Sequence, residues 1–407
     1  MFNYFNSFAL HFIAISVGLG VFFVSLSKII LIIDFLVFLF IVKKNIRFKK
    51  TIEQAPSSLI VLFVACLWMA LSYLWTDALD LDAGKAINRH LRLLILVFIY
   101  YLIQTRDQAI SILKYLLVVQ FVTILLSWLM FMDIYFPFEQ RNQQLHLAAP
   151  FTSTLEQPVM TSIALAVVFF LWDDWIKFTT KSVLIFAIVL SIANIVVVMS
   201  GRTGYITLFA LIILIACYKK YKKKITIFMV LLSSIPVLFF SSPRFHDRTL
   251  EIYTGIQNYR SGHVDSSEGH RLEYWEKSFK SMSERPFFGS GVGSWRNEYY
   301  RLNGVQINPP SNPHNQFLLW GVEAGFVGLF LITLFFISLI EDARKKLEKP
   351  EAGALISVTV LAVLVGVFNC PLYGAGMGEF FMVLFGSLLA MGKFSEANKK
   401  ELIRQIH

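Results

Sequence analysis

Charge is scarce in this chain. Of its 407 residues only 16% are charged, against 56% hydrophobic, and a mean hydropathy of +0.62 excludes an ordinary soluble domain. The composition is that of a polytopic membrane protein. Cysteine is scarcer still: Cys66, Cys217 and Cys370 lie far apart inside apolar runs, which excludes a disulfide framework and a CxxC metal or redox site. The histidines show no HExxH or similar zinc spacing. No short apolar segment with a small-residue cleavage site follows a basic start, so the first hydrophobic run reads as a retained span. Neither a tandem nor an inverted repeat is visible, which weighs against architectures built from symmetric halves.

What the chain does have is apolar runs. With about 20 residues needed to cross a bilayer, spans are expected at Phe8–Val24, Ile29–Val42, Ser57–Trp75, Ile87–Ile103, Ala109–Met132, Val159–Trp172, Val183–Ser200, Tyr205–Tyr218, Ile225–Phe240, Asn315–Ile340, Ala354–Cys370 and Gly376–Met391. The fold class is therefore an all-α polytopic membrane protein of about twelve transmembrane helices. The formal charge of +10 comes largely from short basic clusters beside these runs, such as Lys219-Lys220 and Lys222-Lys223-Lys224. Such clusters mark the cytoplasmic side and are no sign of a nucleic-acid partner. With a cytoplasmic N-terminus every strongly basic connection falls inside. Residues 1–240 then carry spans one to nine, 241–313 one large outer loop, 314–392 spans ten to twelve, and 393–407 a cytoplasmic tail. Within the loop, Leu272, Trp275, Phe279 and Met282 follow at three- and four-residue steps. This spacing predicts an amphipathic helix from about Glu268 to Ser283, stopped by Arg285-Pro286.

Candidate chemistry gathers on the outer side. His314 sits where the loop ends and an apolar helix begins, placed either for proton transfer at the membrane surface or simply to cap the helix. Arg202, in Ser-Gly-Arg-Thr-Gly, is either a snorkelling anchor or an anion ligand with a flexible backbone around it. Arg271, three residues before Tyr274, lies at the margin of the amphipathic stripe, where it meets solvent or a lipid-side cavity. Arg89 and Arg92 repeat the pattern at the end of another span. Guanidinium groups bind phosphate oxygens bidentately and keep their charge, so several on one membrane face suit a lipid diphosphate. Asp80 and Asp82, with Asp77 nearby, read as plain surface or as a divalent-ion site. Gly289-Ser290-Gly291-Val292-Gly293 follows no strand and lacks the Lys-Ser/Thr ending of a nucleotide loop. As a flexible turn it leaves backbone amides for an oxyanion. Inside the apolar runs, Asp34 and Lys114 stand out as ionisable residues, fewer than a transporter with a midplane site would need.

Three segments together resemble a known family: Gly269-His270-Arg271 with Trp275, Arg285-Pro286-Phe287-Phe288-Gly289-Ser290-Gly291-Val292-Gly293, and Pro313-His314-Asn315-Gln316-Phe317-Leu318 followed by Glu323-Ala324-Gly325 and Gly328. The array R-x₃-W, P-x-x-G-x-G, H-N-x-x-L and E-x-G-x-x-G is similar to that of the bacterial O-antigen ligase and Wzy polymerase superfamily. The resemblance implies a GT-C-like fold in the inner membrane, with a periplasmic loop carrying amphipathic helices. It also implies transfer of a glycan from an undecaprenyl diphosphate carrier without metal or cofactor. For a ligase the acceptor is lipid A-core; for a polymerase it is a second carrier-linked repeat unit. On this reading His314 activates the acceptor hydroxyl, and Arg202 and Arg271 bind the diphosphate, with Arg89, Arg92, Tyr274 and Asn315 lining the substrate. A further family arginine after the fifth span corresponds to Arg141 or is replaced by His146. A flippase or transporter of lipid-linked sugar is the reading from a different class.

Overall fold

The computed structural model describes residues 55–78, 80–134, 149–150, 153–199, 201–218, 243–303 and 310–395. The spans expected at Phe8–Val24, Ile29–Val42 and Ile225–Phe240, and the residues Asp34, Arg141 and His146, lie outside them. Among the described residues every regular element is helical. In chain order these are α1 (Ser57–Leu71), α2 (Asp80–Leu91), α3 (Ile95–Leu102), α4 (Arg106–Phe131), α5 (Glu156–Phe170), α6 (Lys181–Ala193), α7 (Arg202–Tyr218), α8 (Pro243–Arg260), α9 (Ser267–Glu284), α10 (Trp295–Asn303), α11 (Gln316–Lys346), α12 (Lys349–Phe368) and α13 (Ala375–Met391).

Six of the described segments are long and apolar enough to cross a membrane: Ser57–Trp75, Arg106–Phe131, Lys181–Val198, Gln316–Lys346, Lys349–Phe368 and Ala375–Phe394. Two more, α5 and α7, are apolar but shorter. The protein is thus a multi-pass helical membrane protein. Two expected spans take a different form. The run Ile87–Ile103 is interrupted by a 3-10 turn at Arg92–Leu94 between α2 and α3, because Arg89 and His90 leave the upper half of that run far less apolar than the lower. The run Asn315–Ile340 is not one straight helix: α11 breaks at Gly325, whose φ of 66° and ψ of −164° are not helical.

The break folds the chain sharply. Residues 317 and 336 would lie ~28 Å apart along a straight helix, yet the rings of Phe317 and Phe336 approach to 6.1 Å. An upper arm, residues 316–324, is therefore turned back over a lower arm, 326–346. Only glycine suits the elbow. A Cβ on Gly325 would meet the Phe287 carbonyl oxygen at 2.2 Å, and the positive φ is itself unfavourable for any other residue.

The end of the bundle opposite His314 is tied by charge and capping. Arg106, at the start of α4, donates to Asp174 at 3.0 and 2.7 Å and to Glu351 at 3.2 and 2.7 Å. Asp342 of α11 accepts the Ser57 and Ser58 backbone N–H groups at the start of α1. Lys114 places its ammonium 4.5 Å from the Phe178 ring centroid, a local partner that accounts for a charge within an apolar run. Between the two ends the apolar faces of α1, α3, α5, α11, α12 and α13 form one continuous core.

Candidate active site

The helix expected over 268–283 is found as α9, residues Ser267–Glu284. Ser266 caps it by accepting the Gly269 N–H at 3.0 Å, Glu268 lies in the first turn, and Arg285-Pro286 ends it. Its buried side carries Tyr274, Ser278, Ser281 and Met282. Tyr274 rests on Trp295 and Tyr299 of α10, with centroids 6.0 and 5.4 Å away. Ser281 donates to Glu298 at 2.6 Å. These contacts set the face of α9 on which His270 and Arg271, one turn before Tyr274, stand beside the start of α11.

His314 occupies a strained position at that start. Its φ is +52°, a conformation rare outside glycine, and its N–H donates to Asn312 Oδ1 at 3.0 Å. The next residue completes the turn. Asn315 caps α11 by accepting from Phe317 and Leu318 N–H groups, both at 3.0 Å, while its Nδ2 donates to the Val367 carbonyl at 2.9 Å. Gln316 N–H donates to the Asn369 carbonyl at 3.0 Å, and its Oε1 accepts from Leu372 N–H at 3.0 Å. The upper arm is therefore moored by three hydrogen bonds to the end of α12 and the turn after it.

Asn369 sets the imidazole's chemistry. Its Oδ1 accepts the Cys370 N–H at 2.9 Å and lies 3.4 Å from His314 Nδ1. Because a backbone N–H can only donate, the atom facing His314 is an acceptor, and Nδ1 must carry the proton. Nε2 then keeps its lone pair. Burial pushes the His314 pKa below its ordinary value, the Asn369 hydrogen bond opposes this, and the positive charge of Arg271 adds to the fall. The ring is a neutral base at neutral pH. Tyr274 stacks beside it at 6.2 Å between centroids.

Arg271 is desolvated. Burial lowers its pKa, Glu268 raises it and Arg202 lowers it again. Among the described residues no carboxylate lies within ion-pair distance of Arg271. Arg202 is different: it pairs with Glu268 and, at 2.6 Å, with the exposed Glu251. Arg202, Arg271, Tyr274, His314 and Asn315 are thus brought to one rim. Arg89 and Arg92 stand on its far side, beyond the turn that follows Asn369. Arg89 lies 4.6 Å from the Tyr373 ring centroid, and Arg92 faces Glu379 at 3.7 Å.

The glycine-rich segment has a role that the sequence reading did not assign. Its amides are already engaged: Gly289 N–H donates to Arg285, Ser290 to Val322 and Gly291 to Glu323 carbonyls, and Gly293 N–H donates to the Glu323 carboxylate at 3.0 Å. No oxyanion cradle results. Instead the segment clasps the elbow of α11, with Phe326 N–H donating to the Pro286 carbonyl at 2.7 Å. The glycines permit close approach, since a Cβ on Gly291 would meet Thr76 Cα at 2.2 Å. The second oxygen of Glu323 lies 2.7 Å from His90 Nε2, and both side chains are buried. Glu323 is thus an ionisable residue deep in an apolar run, alongside Lys114, and its partner sits on another helix. Asp77, weighed as a metal ligand, is paired with Arg285. Among the described residues no three His, Cys, Asp or Glu side chains gather as a metal site.

Residues missed by sequence reasoning are Asn369, Glu323 with His90, and Tyr373. A carboxylate in an apolar run was a signal for Glu323, because such a charge demands a partner. Asn369 gave a weaker one, as a polar residue where α12 meets Pro371.

Comparison with known proteins gives a family match. Residues 186–333 match the family model described as O-antigen ligase, a stretch that runs from α6 into α11 and takes in Arg202, Arg271 and His314. No curated protein matches the chain. Over residues 186–333 this chain is therefore similar to the O-antigen ligase family.

Proposed function

We propose that the protein is an O-antigen ligase, an inverting glycosyltransferase that moves a polysaccharide from undecaprenyl diphosphate to lipid A-core at the periplasmic face of the inner membrane. The single observation that carries the mechanism is the pairing of a neutral imidazole, with Nε2 unprotonated, and a desolvated arginine that has no carboxylate at ion-pair distance among the described residues. Nε2 of His314 takes the proton of the acceptor hydroxyl as its oxygen attacks the anomeric carbon. The new C–O bond forms on one face while the bond to the diphosphate breaks on the other, so the anomeric centre inverts. Arg271 stabilises the charge that grows on the departing diphosphate, which favours the transition state over the ground state. Arg202 joins it by exchanging the exposed Glu251 for phosphate oxygens. Arg89, Arg92 and Tyr274 line the substrate, and Asn315 holds the turn that presents the base. In this reaction the arginines carry the charge that a divalent ion supplies in other transferases.

The test is reconstitution in liposomes with undecaprenyl diphosphate glycan and either lipid A-core or a second carrier-linked unit. Product on lipid A-core is expected. Chain extension on the carrier instead would make the protein a polymerase, and product with neither acceptor would overturn the transferase reading. His314→Ala is expected to lower the rate by about 10²–10⁴-fold with unchanged elution on gel filtration. Full activity of that variant would remove the proposed base.

A further inference from the structure

We propose that Phe287 and Phe288, with Trp75 beside them, form a wedge inserted into the bilayer leaflet at the His314 end of the protein. Its occupant is the boundary between lipid head groups and hydrocarbon. Phe287 and Phe288 are 67% and 57% exposed, although they sit on a segment whose backbone is bonded into the protein. Large aromatic side chains left bare on an ordered surface mark an interaction site. Here they belong to a cluster: Phe288 lies 5.8 Å from Trp68 and 6.0 Å from Trp75, between ring centroids. Both indoles have their polar edge satisfied from within, Trp68 Nε1 donating to the Ala324 carbonyl at 3.1 Å and Trp75 Nε1 to the Phe288 carbonyl at 3.2 Å.

The surface below the cluster identifies the partner. Leu67 and Leu71 of α1 and Phe326 and Phe330 of α11 are all exposed, on helices that cross the membrane. The aromatic patch continues that lipid-facing surface without a break at the elbow. Depth agrees as well. The segment Ser57–Trp75 has 19 residues, ~28 Å of helix against a hydrocarbon core of about 30 Å. Trp75 therefore stands at the far interface, the level at which tryptophan and tyrosine concentrate in membrane proteins. Irregular backbone at that depth is tolerated only when its polar groups are bonded. The clasp meets the condition, since the amides of Gly289, Ser290, Gly291 and Gly293 all have protein acceptors. Arg285, two residues before the wedge, turns its guanidinium to Asp77 on the polar side. The wedge fixes the carboxyl end of α9 at the membrane surface.

The inference depends on the membrane and not on the reaction, so it can fail while the proposed transfer stands. Cys217 is the exposed cysteine, and Cys66 and Cys370 are buried. In a Cys217→Ser background, Phe287→Cys and Lys280→Cys are each labelled with an NBD fluorophore and placed in phosphatidylcholine/phosphatidylglycerol nanodiscs. The probe at 287 is expected to emit at shorter wavelength and to be quenched by lipid carrying a shallow doxyl group. The probe at 280, an exposed position on the polar face of α9, is expected to emit as in water. Phe288→Cys reads the same surface through a second side chain. Water-like emission at both 287 and 288, or equal quenching at 280, would overturn the wedge.

Discussion

The imidazole of His314 and the side-chain oxygen of Asn369 face each other at 3.4 Å, and the same oxygen accepts the Cys370 N–H at 2.9 Å. The second bond fixes the direction of the first. An amide that could otherwise present either end is held with its oxygen toward the ring, so the tautomer of the base is decided by a residue at the end of a different helix.

Replacing Asn369 by Asp should therefore shift the pH dependence in a known direction. If His314 is the base proposed, it works when neutral, and burial holds its pKa below the ordinary imidazole value, so the acid limb of kcat/KM should fall below that value. A carboxylate at position 369 favours the imidazolium, which moves the acid limb to higher pH while activity on the alkaline side is largely kept. A profile superimposable on wild type would show that Asn369 does not touch the titrating group.

Arg271→Lys keeps a charge but loses the planar fork that matches two phosphate oxygens. Transfer should drop by about 10²-fold or more, seen as a fall in kcat with the protein's thermal midpoint in detergent unchanged. Turnover near wild type would make Arg271 a positional charge only.

Glu323 and His90 are testable as a pair. Glu323→Leu strands the buried His90 and the Gly293 N–H, and each unpaired buried group costs about 1–3 kcal/mol. The double variant Glu323→Leu with His90→Leu should recover part of that loss, because it no longer leaves His90 without its acceptor. Unfolding midpoints of the four proteins decide it, and strictly additive losses would mean that the two side chains do not interact.

Much of this was legible in the sequence where a feature depends on spacing within one element. The stripe Leu272, Trp275, Phe279 and Met282 placed α9 to within a residue at each end, because helical periodicity is a local property. The long apolar runs gave the membrane class for the same reason. The fold of α11 at Gly325 was hidden: a glycine in an apolar run looks like any small residue until the Phe287 carbonyl arrives beside it. The glycine-rich segment was misjudged in kind. Its pattern announces a backbone that something approaches closely, and the sequence does not say whether that is a ligand or another helix. Asn369 lies 55 residues from His314, and only the pairing of α11 with α12 brings them together.

The elbow at Gly325 separates two mechanical duties. Below it, the lower arm lies in lipid and must tilt when hydrophobic thickness and span length disagree. Above it, Asn315 and Gln316 fasten the upper arm to Val367 and Asn369, so His314 takes its position from the end of α12. The clasp of residues 285–293 holds the elbow itself, so the position of His314 follows the contacts of the upper arm and not the tilt of the lower one.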